Sequence, residues 1–262
     1  MLVAALCNQK GGVGKTTTAL NVARAAHRRL LRVLIVDLDP QSNTTTTLLG
    51  DDPEEGTETL ADLLSARSDA VLSDVVCKTG WSGVDVVPSG ADVLADVGAE
   101  LVTLGPGREY RLREALAGAR EQDDYDLVLL DCPPALDQLT INGLTAADRA
   151  LIVTNAALWS SNGIARLLRT VDAVKRYNNP QLSVVGIVVN SYESRTRRQR
   201  HWFEELVESG PAPVWQPPVP KATWIAEAVE AGLGLDEFGT TAAAVLAETY
   251  DGYLNKLLEG AS

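Results

Sequence analysis

Residues 9–17 read Gln9-Lys10-Gly11-Gly12-Val13-Gly14-Lys15-Thr16-Thr17, a glycine-rich stretch that ends in Gly-Lys-Thr-Thr. Glycines let backbone N–H groups turn inward around an anion, and a helix that starts there points its positive end at the same anion. We expect Lys15 to reach the β- and γ-phosphates of a nucleoside triphosphate and the Thr16 hydroxyl to ligate Mg²⁺. The stretch predicts a phosphate-binding loop with nucleotide contacts from Gly11, Gly12, Val13, Gly14, Lys15, Thr16 and Thr17.

The loop departs from the strict pattern G-x-x-x-x-G-K-T, because Gln9 takes the place of the first glycine and Lys10 precedes Gly11. Its flanks nevertheless suit a phosphate site. Leu2 to Cys7 is an apolar run of strand length, and Thr16 to Arg29 has apolar residues at helical spacing. The order strand, glycine loop, helix therefore favours this site over a glycine-rich turn with a chance Gly-Lys-Thr.

The loop, together with Asp37-Leu38-Asp39-Pro40-Gln41, resembles the ParA family of partition ATPases, within the deviant-Walker group of P-loop ATPases that includes MinD. The resemblance is strong in the first half of the chain and weak in the last third. It implies ATP and Mg²⁺ as cofactors, and a homodimer in which Lys10 contacts the nucleotide of the partner. It also implies that Lys10, Lys15, Asp39 and Asp37 carry out ATP hydrolysis.

Asp37 and Asp39 follow a buried strand and precede Pro40. By the resemblance, Asp39 matches the aspartate that orients the attacking water, and Asp37 matches its neighbour in the first switch. A carboxylate beside the γ-phosphate can position water, deprotonate it or hold Mg²⁺, so Asp39 is a candidate for both catalysis and metal binding. For both residues, a solvated turn at a strand end is the alternative.

Leu127 to Asp131 is an apolar strand that ends in an aspartate, the Walker B pattern. We expect Asp131 to hold Mg²⁺ through a water molecule, since Mg²⁺ keeps several of its waters in proteins. With Thr16 and Asp39, Asp131 completes the predicted metal site. The resemblance places the start of a second switch here, continuing to Leu139 and Asn142.

The adenine site is weakly specified. Asn190 ends a late apolar strand, and Pro218 lies in a proline-rich segment. By the resemblance, both residues match positions near the base. A capping asparagine and a structural proline are equally good interpretations.

Apolar runs alternate with helical stretches along the chain, which predicts an α/β fold with a mostly parallel twisted sheet and helices on both faces. We expect one P-loop ATPase domain over residues 1–262. Four strands should end in polar residues at one edge of the sheet, beside the phosphate loop. The predicted strands after the first are Arg32–Asp37, Val84–Pro88, Leu127–Asp131, Ala150–Thr154 and Val184–Asn190, and the polar ends are Asn8, Asp37, Asp131 and Asn190.

Three further segments are assigned from their patterns. A helix is expected near Leu60–Arg67, within an acidic and irregular segment. Residues 210–220 contain five prolines and should be extended. The pattern of Thr240–Leu258 predicts a closing helix whose apolar side comprises Val245, Leu246, Tyr250, Tyr253, Leu254 and Leu257.

The composition of the 262-residue chain is that of a globular protein, with 45% hydrophobic and 22% charged residues. No apolar run reaches membrane-span length and no signal peptide is recognisable, so we expect a cytoplasmic location. Cys7, Cys77 and Cys132 form no C-x-x-C pair, which suits reduced thiols. A net charge of −12 opposes nucleic-acid binding by the molecule as a whole. Any DNA contact requires a local basic patch.

One such patch contains Arg195, Arg197, Arg198, Arg200 and His201. On a helix, Arg195 and Arg198 would share a face and Trp202 would anchor that side to the core. The resemblance implies non-specific DNA binding through a surface of this kind. A solvated helix balanced by nearby glutamates is the alternative. Lys221 retains a positive charge in a segment where the family often has a DNA-binding arginine, a position that Trp224 occupies here; Lys175 and Arg176 could contribute.

The resemblance thus implies an ATPase that partitions a plasmid or chromosome, associates with the nucleoid and is stimulated by a ParB-like centromere-binding partner. Because the chain begins close to the loop, we expect the small ParA type, without an N-terminal helix-turn-helix domain. A MinD-like ATPase at a membrane is the alternative, although the tail from Tyr253 to Ser262 has one lysine and one glutamate and makes a poor anchor. Amidoligases, iron–sulfur carriers and bacterial tyrosine kinases are less favoured, because the sequence shows no recognisable substrate pocket, cysteine pair or terminal tyrosine cluster.

Overall fold

The structure is a computed structural model that describes residues 1–51, 53–54, 56–156 and 161–259. Seven strands are found in this part of the chain. Most are short apolar segments, as expected for strands that are buried on both faces of a sheet. Their bounds are β1 Leu2–Cys7, β2 Val33–Asp37, β3 Cys77–Lys78, β4 Val84–Val87, β5 Leu127–Asp131, β6 Arg149–Asn155 and β7 Ser183–Asn190.

Twelve helices connect and flank these strands within the same residues. None combines the length and the apolar character that crossing a membrane requires. Their bounds are α1 Lys15–Arg28, α2 Asn43–Leu49, α3 Leu60–Leu64, α4 Leu72–Val75, α5 Ala91–Thr103, α6 Arg111–Ala115, α7 Ala117–Gln122, α8 Gln138–Ala146, α9 Ser161–Tyr177, α10 Arg197–Ser209, α11 Thr223–Glu230 and α12 Thr241–Leu258.

The strands form a sheet in the order β3-β4-β2-β5-β1-β6-β7. All pairs are parallel except β3–β4, which is antiparallel. Because β1 lies between β5 and β6, the loop after β1 emerges at the centre of the sheet edge where parallel strands end. In the β2–β5 pair, Asp37 lies directly opposite Asp131. The predicted mostly parallel α/β sheet is confirmed.

Helices cover both faces of the sheet, as predicted. One core contains α1, α11 and α12, and it includes the fully buried Tyr253. The opposite core contains α3, α5, α8 and α9 and also buries Cys7 and Cys132 at the ends of β1 and β5. Both are fully buried and act as small core residues, and burial raises the pKa of each thiol.

The proline-rich segment 210–220 runs beside the edge strand β7, and it bends at residues 211–212 and 216–217 where the sequence predicted an extended connection throughout. The Ile187 N–H donates to the Pro213 carbonyl at 2.8 Å, and the Val219 N–H donates to the Val189 carbonyl at 2.9 Å. Trp215 of this segment is buried and its ring centroid lies 5.7 Å from that of Tyr253. This segment therefore packs between β7 and α12, and it brings Pro218 near the carboxyl end of β7.

Two helix predictions need correction. In α12, Val245 is 58% exposed, whereas the other five predicted apolar positions are buried. Val245 precedes Leu246 by one residue, about 100° around the helix, and therefore faces away from the core. The helix predicted near Leu60–Arg67 ends at Leu64, because Ser65 adopts an extended conformation.

Packing between β7 and the proline-rich segment gives a stability prediction. A Cβ at Gly186 would overlap the Trp215 indole, which Tyr253 prevents from moving aside. Gly186→Ala should lower the free energy of unfolding by about 1–3 kcal/mol, as other overpacked cores do. Gly252→Ala, in an open position on α12, is the control and should raise it by about 0.5–1 kcal/mol. Urea unfolding measures both, and equal stability of Gly186→Ala and the parent chain would contradict the packing argument.

Candidate nucleotide-binding site

The loop between β1 and α1 has the backbone geometry of an anion-binding turn. Gly12 and Gly14 have φ values of +69° and +89°, in the left-handed region that favours glycine. Gly14 is the N-cap of α1, and the first turn of that helix contains no acidic residue. Its free backbone N–H groups and positive end therefore face the loop. Lys15, the first residue of α1, is buried to 6% exposure.

Asn190, at the end of β7, supports this loop from beneath. Its Nδ2 donates to the carbonyls of Val13 at 3.0 Å and Gly14 at 3.1 Å, and to the Thr18 hydroxyl at 3.1 Å. A side chain at position 14 would collide with Asn190. The structure thus gives Asn190 a role in fixing the loop, and its contact with adenine, like that of Pro218, stays a prediction.

Asp131 ends β5 next to the loop. Its Oδ2 accepts hydrogen bonds from the Thr16 hydroxyl at 2.6 Å and from the Thr44 hydroxyl at 2.8 Å. Its Oδ1 is buried and has no partner among the described residues. Burial raises the pKa of Asp131, while the two hydroxyls and Lys15 oppose this shift. The predicted metal residues Thr16 and Asp131 are therefore in direct contact.

Asp37 lies beside Asp131 and is fully buried. Its Oδ2 accepts hydrogen bonds from the backbone N–H and the hydroxyl of Thr45, at 2.9 and 2.7 Å. Its Oδ1 accepts one from the Asp39 N–H at 3.2 Å. Burial, with a contribution from the charge of Asp131, raises the pKa of Asp37 to about 7. With no exposed surface, Asp37 fixes the chain around Asp39 and does not face the cleft.

Asp39 does face the cleft that contains the phosphate loop. This cleft has a volume of about 680 Å³. Besides the loop, its lining comprises Asp39, Gln41, Asn43, Thr46, Thr47, Pro134, Val229 and Glu230. The Gln41 N–H donates to Asp39 Oδ1 at 3.1 Å, and the Ser89 hydroxyl donates to the Asp39 carbonyl at 2.8 Å. Asp39 is thus positioned in the same cleft as Lys15 and Thr16.

A larger groove, of about 1320 Å³, opens at the opposite end of the sheet. Residues before β2, β4 and β5 line it, including Arg32, Gly83 and Tyr125. It contains none of the predicted site residues. We assign the nucleotide to the smaller cleft because the phosphate loop, the start of α1 and Asp39 line it together.

Lys10 is exposed, and its side chain is held only weakly. Its backbone N–H donates to Asn8 Oδ1 at 2.9 Å, and Asn8 donates to the Val153 carbonyl at 2.6 Å. Among the described residues, its ammonium group has one long contact, 3.5 Å, with Asn155 Oδ1. The backbone at Lys10 is therefore fixed, while the charged end can reach a group outside its own chain.

The hydroxyls of Thr44, Thr45 and Ser89 belong to the site and were not among the predicted residues. Thr44 and Thr45 begin α2 and bond to Asp131 and Asp37, and Ser89 follows β4 and bonds to Asp39. The signal for Ser89 was its place beyond a strand end at the same sheet edge. The run Thr44 to Thr47, directly after the Asp37–Gln41 motif, was the signal for the threonines.

The basic patch differs from its prediction in two respects. α10 begins at Arg197, so Arg195 lies in the preceding turn and does not share a helix face with Arg198. Phe203, tilted at 41° against Tyr192 with 4.9 Å between ring centroids, packs this helix on the core together with Leu206, whereas Trp202 is half-buried and lies outside that core. The exposed arginines have no carboxylate within 4.0 Å among the described residues: Arg195, Arg197, Arg198 and Arg200. Lys221 pairs with Glu193 at 3.4 Å.

The sequence model of the AAA domain family matches residues 1–184. Among curated proteins, the chromosome partitioning protein ParA of Caulobacter vibrioides is 37% identical over 230 residues, which cover 88% of this chain and 84% of that protein. This chain belongs to the ParA family. The resemblance stated from residues 9–17 and 37–41 is confirmed, and this ParA-family relationship supports a partition ATPase.

Two solved structures are similar to this ParA-family chain over nearly its whole length. Cobyrinic acid a,c-diamide synthase from Mycobacterium smegmatis, with a bound ATP analogue and magnesium, is 33% identical, covers 99% of this chain and 97% of its own, and has a TM-score of 0.82. The ATP complex of a Cyanothece McdA variant is 25% identical, with coverages of 98% and 96% and a TM-score of 0.87. Both structures contain the nucleotide class that the cleft suits.

The assignment of Lys15 gives a direct test. Lys15→Ala removes the buried cation at the start of α1 and should weaken ATP binding by roughly 100-fold, since a charge-assisted hydrogen bond contributes up to about 3 kcal/mol. Titration with a fluorescent ATP analogue measures this. Arg28→Ala, which removes a cation from the other end of the same helix, should bind as the parent chain does. Normal affinity of Lys15→Ala would show that the loop is not the phosphate site.

Proposed function

We propose that this chain is a Mg²⁺-dependent ATPase that partitions a plasmid or chromosome, in a single P-loop domain over residues 1–262. ATP brings two copies together, the dimer binds DNA without sequence preference, and hydrolysis releases it. A ParB-like centromere-binding protein stimulates the hydrolysis. The protein is cytoplasmic and associates with the nucleoid while ATP is bound.

The contrast between Lys10 and Lys15 is the observation that carries this proposal. Lys15 is buried at the start of α1, whereas Lys10 is exposed on a fixed backbone, and its ammonium group has a single long contact within the described part of the chain. One triphosphate carries more negative charge than Lys15 and the helix end neutralise. We infer that Lys10 of a second copy supplies the remaining positive charge.

Hydrolysis is assigned to the same cleft. Thr16 and Asp131, which are in direct contact, would hold Mg²⁺, and the ion would supply positive charge to the phosphates during phosphoryl transfer. Asp39 lines the same cleft as Thr16 and would orient the attacking water. Asp37 acts on the reaction by fixing the backbone N–H of Asp39 and the start of α2.

The DNA surface centres on the turn before α10 and its first two turns. Arg195, Arg197, Arg198 and Arg200 are exposed there and lack carboxylate partners among the described residues. Phosphate contacts of this kind give affinity without reading bases. Lys221 belongs to the same surface through Tyr192, whose carbonyl accepts its N–H at 3.1 Å, although Glu193 offsets part of its charge.

The similarity to cobyrinic acid a,c-diamide synthase favours a second candidate, an ATP-dependent amide synthase. An enzyme that takes nitrogen from glutamine commonly uses a reactive thiol. Cys7 and Cys132 are fully buried with raised pKa values, and Cys77 lies on β3, away from the cleft. The partition function is therefore the stronger proposal. ATP turnover that requires cobyrinic acid and glutamine would reverse this choice.

A MinD-like role at a membrane is a further alternative. Within the described residues, α12 has Lys256 as the cation of its last turn, and Glu259 caps its end; residues 260–262 of the predicted tail lie outside the described part. Co-sedimentation with anionic liposomes in the presence of ATP separates the two roles, because strong retention would favour the membrane.

The dimer is tested with a variant that binds ATP but does not hydrolyse it. Asp39→Ala should retain ATP and accumulate as a dimer in sedimentation velocity, because loss of the water-orienting group stops turnover. Adding Lys10→Ala to this variant should return it to a monomer that still binds ATP. A monomeric Asp39→Ala protein at saturating ATP would contradict the paired arrangement.

The DNA surface is tested by charge reversal. Arg195→Glu with Arg198→Glu should reduce ATP-dependent retention of random duplex DNA by roughly tenfold or more and should flatten its salt dependence. Arg67→Glu with Arg113→Glu makes the same change in net charge at a distance from α10 and is the control. Gel shifts at two salt concentrations give the result, with basal ATP hydrolysis measured in parallel. Equal loss in both double variants would mean that net charge, and not this surface, controls binding.

A further inference from the structure

The first turn of α2 bonds to both buried carboxylates at the sheet edge. Thr44 donates its hydroxyl hydrogen to Asp131, and the adjacent Thr45 donates to Asp37. Both threonines are fully buried. Two consecutive residues of one helix are thus fixed to the ends of two neighbouring strands, β5 and β2.

Thr44 contacts Asp131, which is one of the predicted metal ligands. Asp131 Oδ2 accepts the hydroxyls of Thr16 and Thr44 at 2.6 and 2.8 Å, whereas Oδ1 is buried without a partner among the described residues. Two donors on one oxygen fix the rotation of a carboxylate more firmly than one does. They also leave the other oxygen available to accept hydrogen bonds from the waters that Mg²⁺ retains.

We propose that Thr44 is a positioning residue for Mg²⁺, acting through Asp131. This inference rests on the proposed function, in which Thr16 and Asp131 hold the metal of a bound nucleotide. The Thr16 hydroxyl oxygen is itself a ligand in that arrangement. Of the two hydroxyls that donate to Asp131, that of Thr44 is therefore the one that is not itself a metal ligand. Its role is to set the orientation of the Asp131 carboxylate toward the metal.

Thr44 also links the metal to the rest of the cleft. It lies on α2 with Asn43, Thr46 and Thr47, which line the cleft opposite the phosphate loop. Residues that orient a metal ligand typically alter metal affinity by roughly 10- to 100-fold when they are removed. Removing the Thr44 hydroxyl should therefore weaken Mg²⁺ binding, while the phosphate loop retains its contacts with the nucleotide.

Thr44→Val tests this, because valine keeps the shape of threonine and removes only the hydroxyl. ADP affinity is measured first in EDTA and then against increasing Mg²⁺, with a fluorescent ADP analogue. We expect unchanged affinity in EDTA and a rise of roughly 10- to 100-fold in the Mg²⁺ concentration at half effect. Thr44→Ser, which restores a hydroxyl, should recover most of the difference. Thr145→Val, a buried threonine with no hydrogen-bond partner among the described residues, is the matched control.

The outcomes are distinguishable. Equal Mg²⁺ dependence in Thr44→Val and the parent chain would overturn the role of Thr44 and leave the proposed function intact. A parent chain that binds ADP without any response to Mg²⁺ would instead overturn the metal site of the proposed function. Circular dichroism shows whether each variant folds. If Thr44→Val does not fold, the same measurements are made on Thr44→Ala. If neither folds, the hydroxyl serves stability and the inference is wrong.

Discussion

Two buried carboxylates, Asp37 and Asp131, constrain the arrangement of the loops at the sheet edge where the phosphate loop lies. They end neighbouring parallel strands in register, so the sheet brings them together, and burial raises the pKa of each. A buried carboxylate without hydrogen-bond donors is strongly destabilising. The chain supplies the donors from Thr16 on one side and from the start of α2 on the other. The positions of the phosphate loop and of the segment that carries Asp39 both follow from this arrangement.

The same edge combines opposite charges for one purpose. Lys15, the positive end of α1 and the glycine N–H groups attract phosphate, whereas Asp131 and Asp39 attract the metal. A magnesium nucleotide carries both signs and satisfies both sets of groups. Lys10 differs from these residues because its ammonium group has only a 3.5 Å contact, with Asn155, among the residues that the structure describes. An exposed cation on a fixed backbone suits a contact between two copies.

Much of this could be predicted from the sequence, because strand, loop and helix signals are local. The phosphate loop, the strand-end aspartates and the sheet class follow from short patterns around residues 2–28 and 127–131. The roles of Thr44 and Ser89 depend on strands distant in the chain, and no local pattern shows which carboxylate a threonine will meet. The contact of Asn190 with the base stays a prediction, and its bonds to the carbonyls of Val13 and Gly14 are likewise not visible in any local pattern. The prediction that Arg195 and Arg198 share a helix face was wrong because α10 begins at Arg197, after Arg195. Helix ends are the feature that a sequence pattern defines least well.

The most direct test is a crystal structure with Mg²⁺ and a non-hydrolysable ATP analogue. It should show the triphosphate in the loop of residues 10–17, Mg²⁺ between Thr16 and Asp131, and Lys10 of the partner subunit against the phosphates across a two-fold interface. A nucleotide bound elsewhere would contradict the account. So would a filled loop with Lys10 in solvent and no second copy facing it.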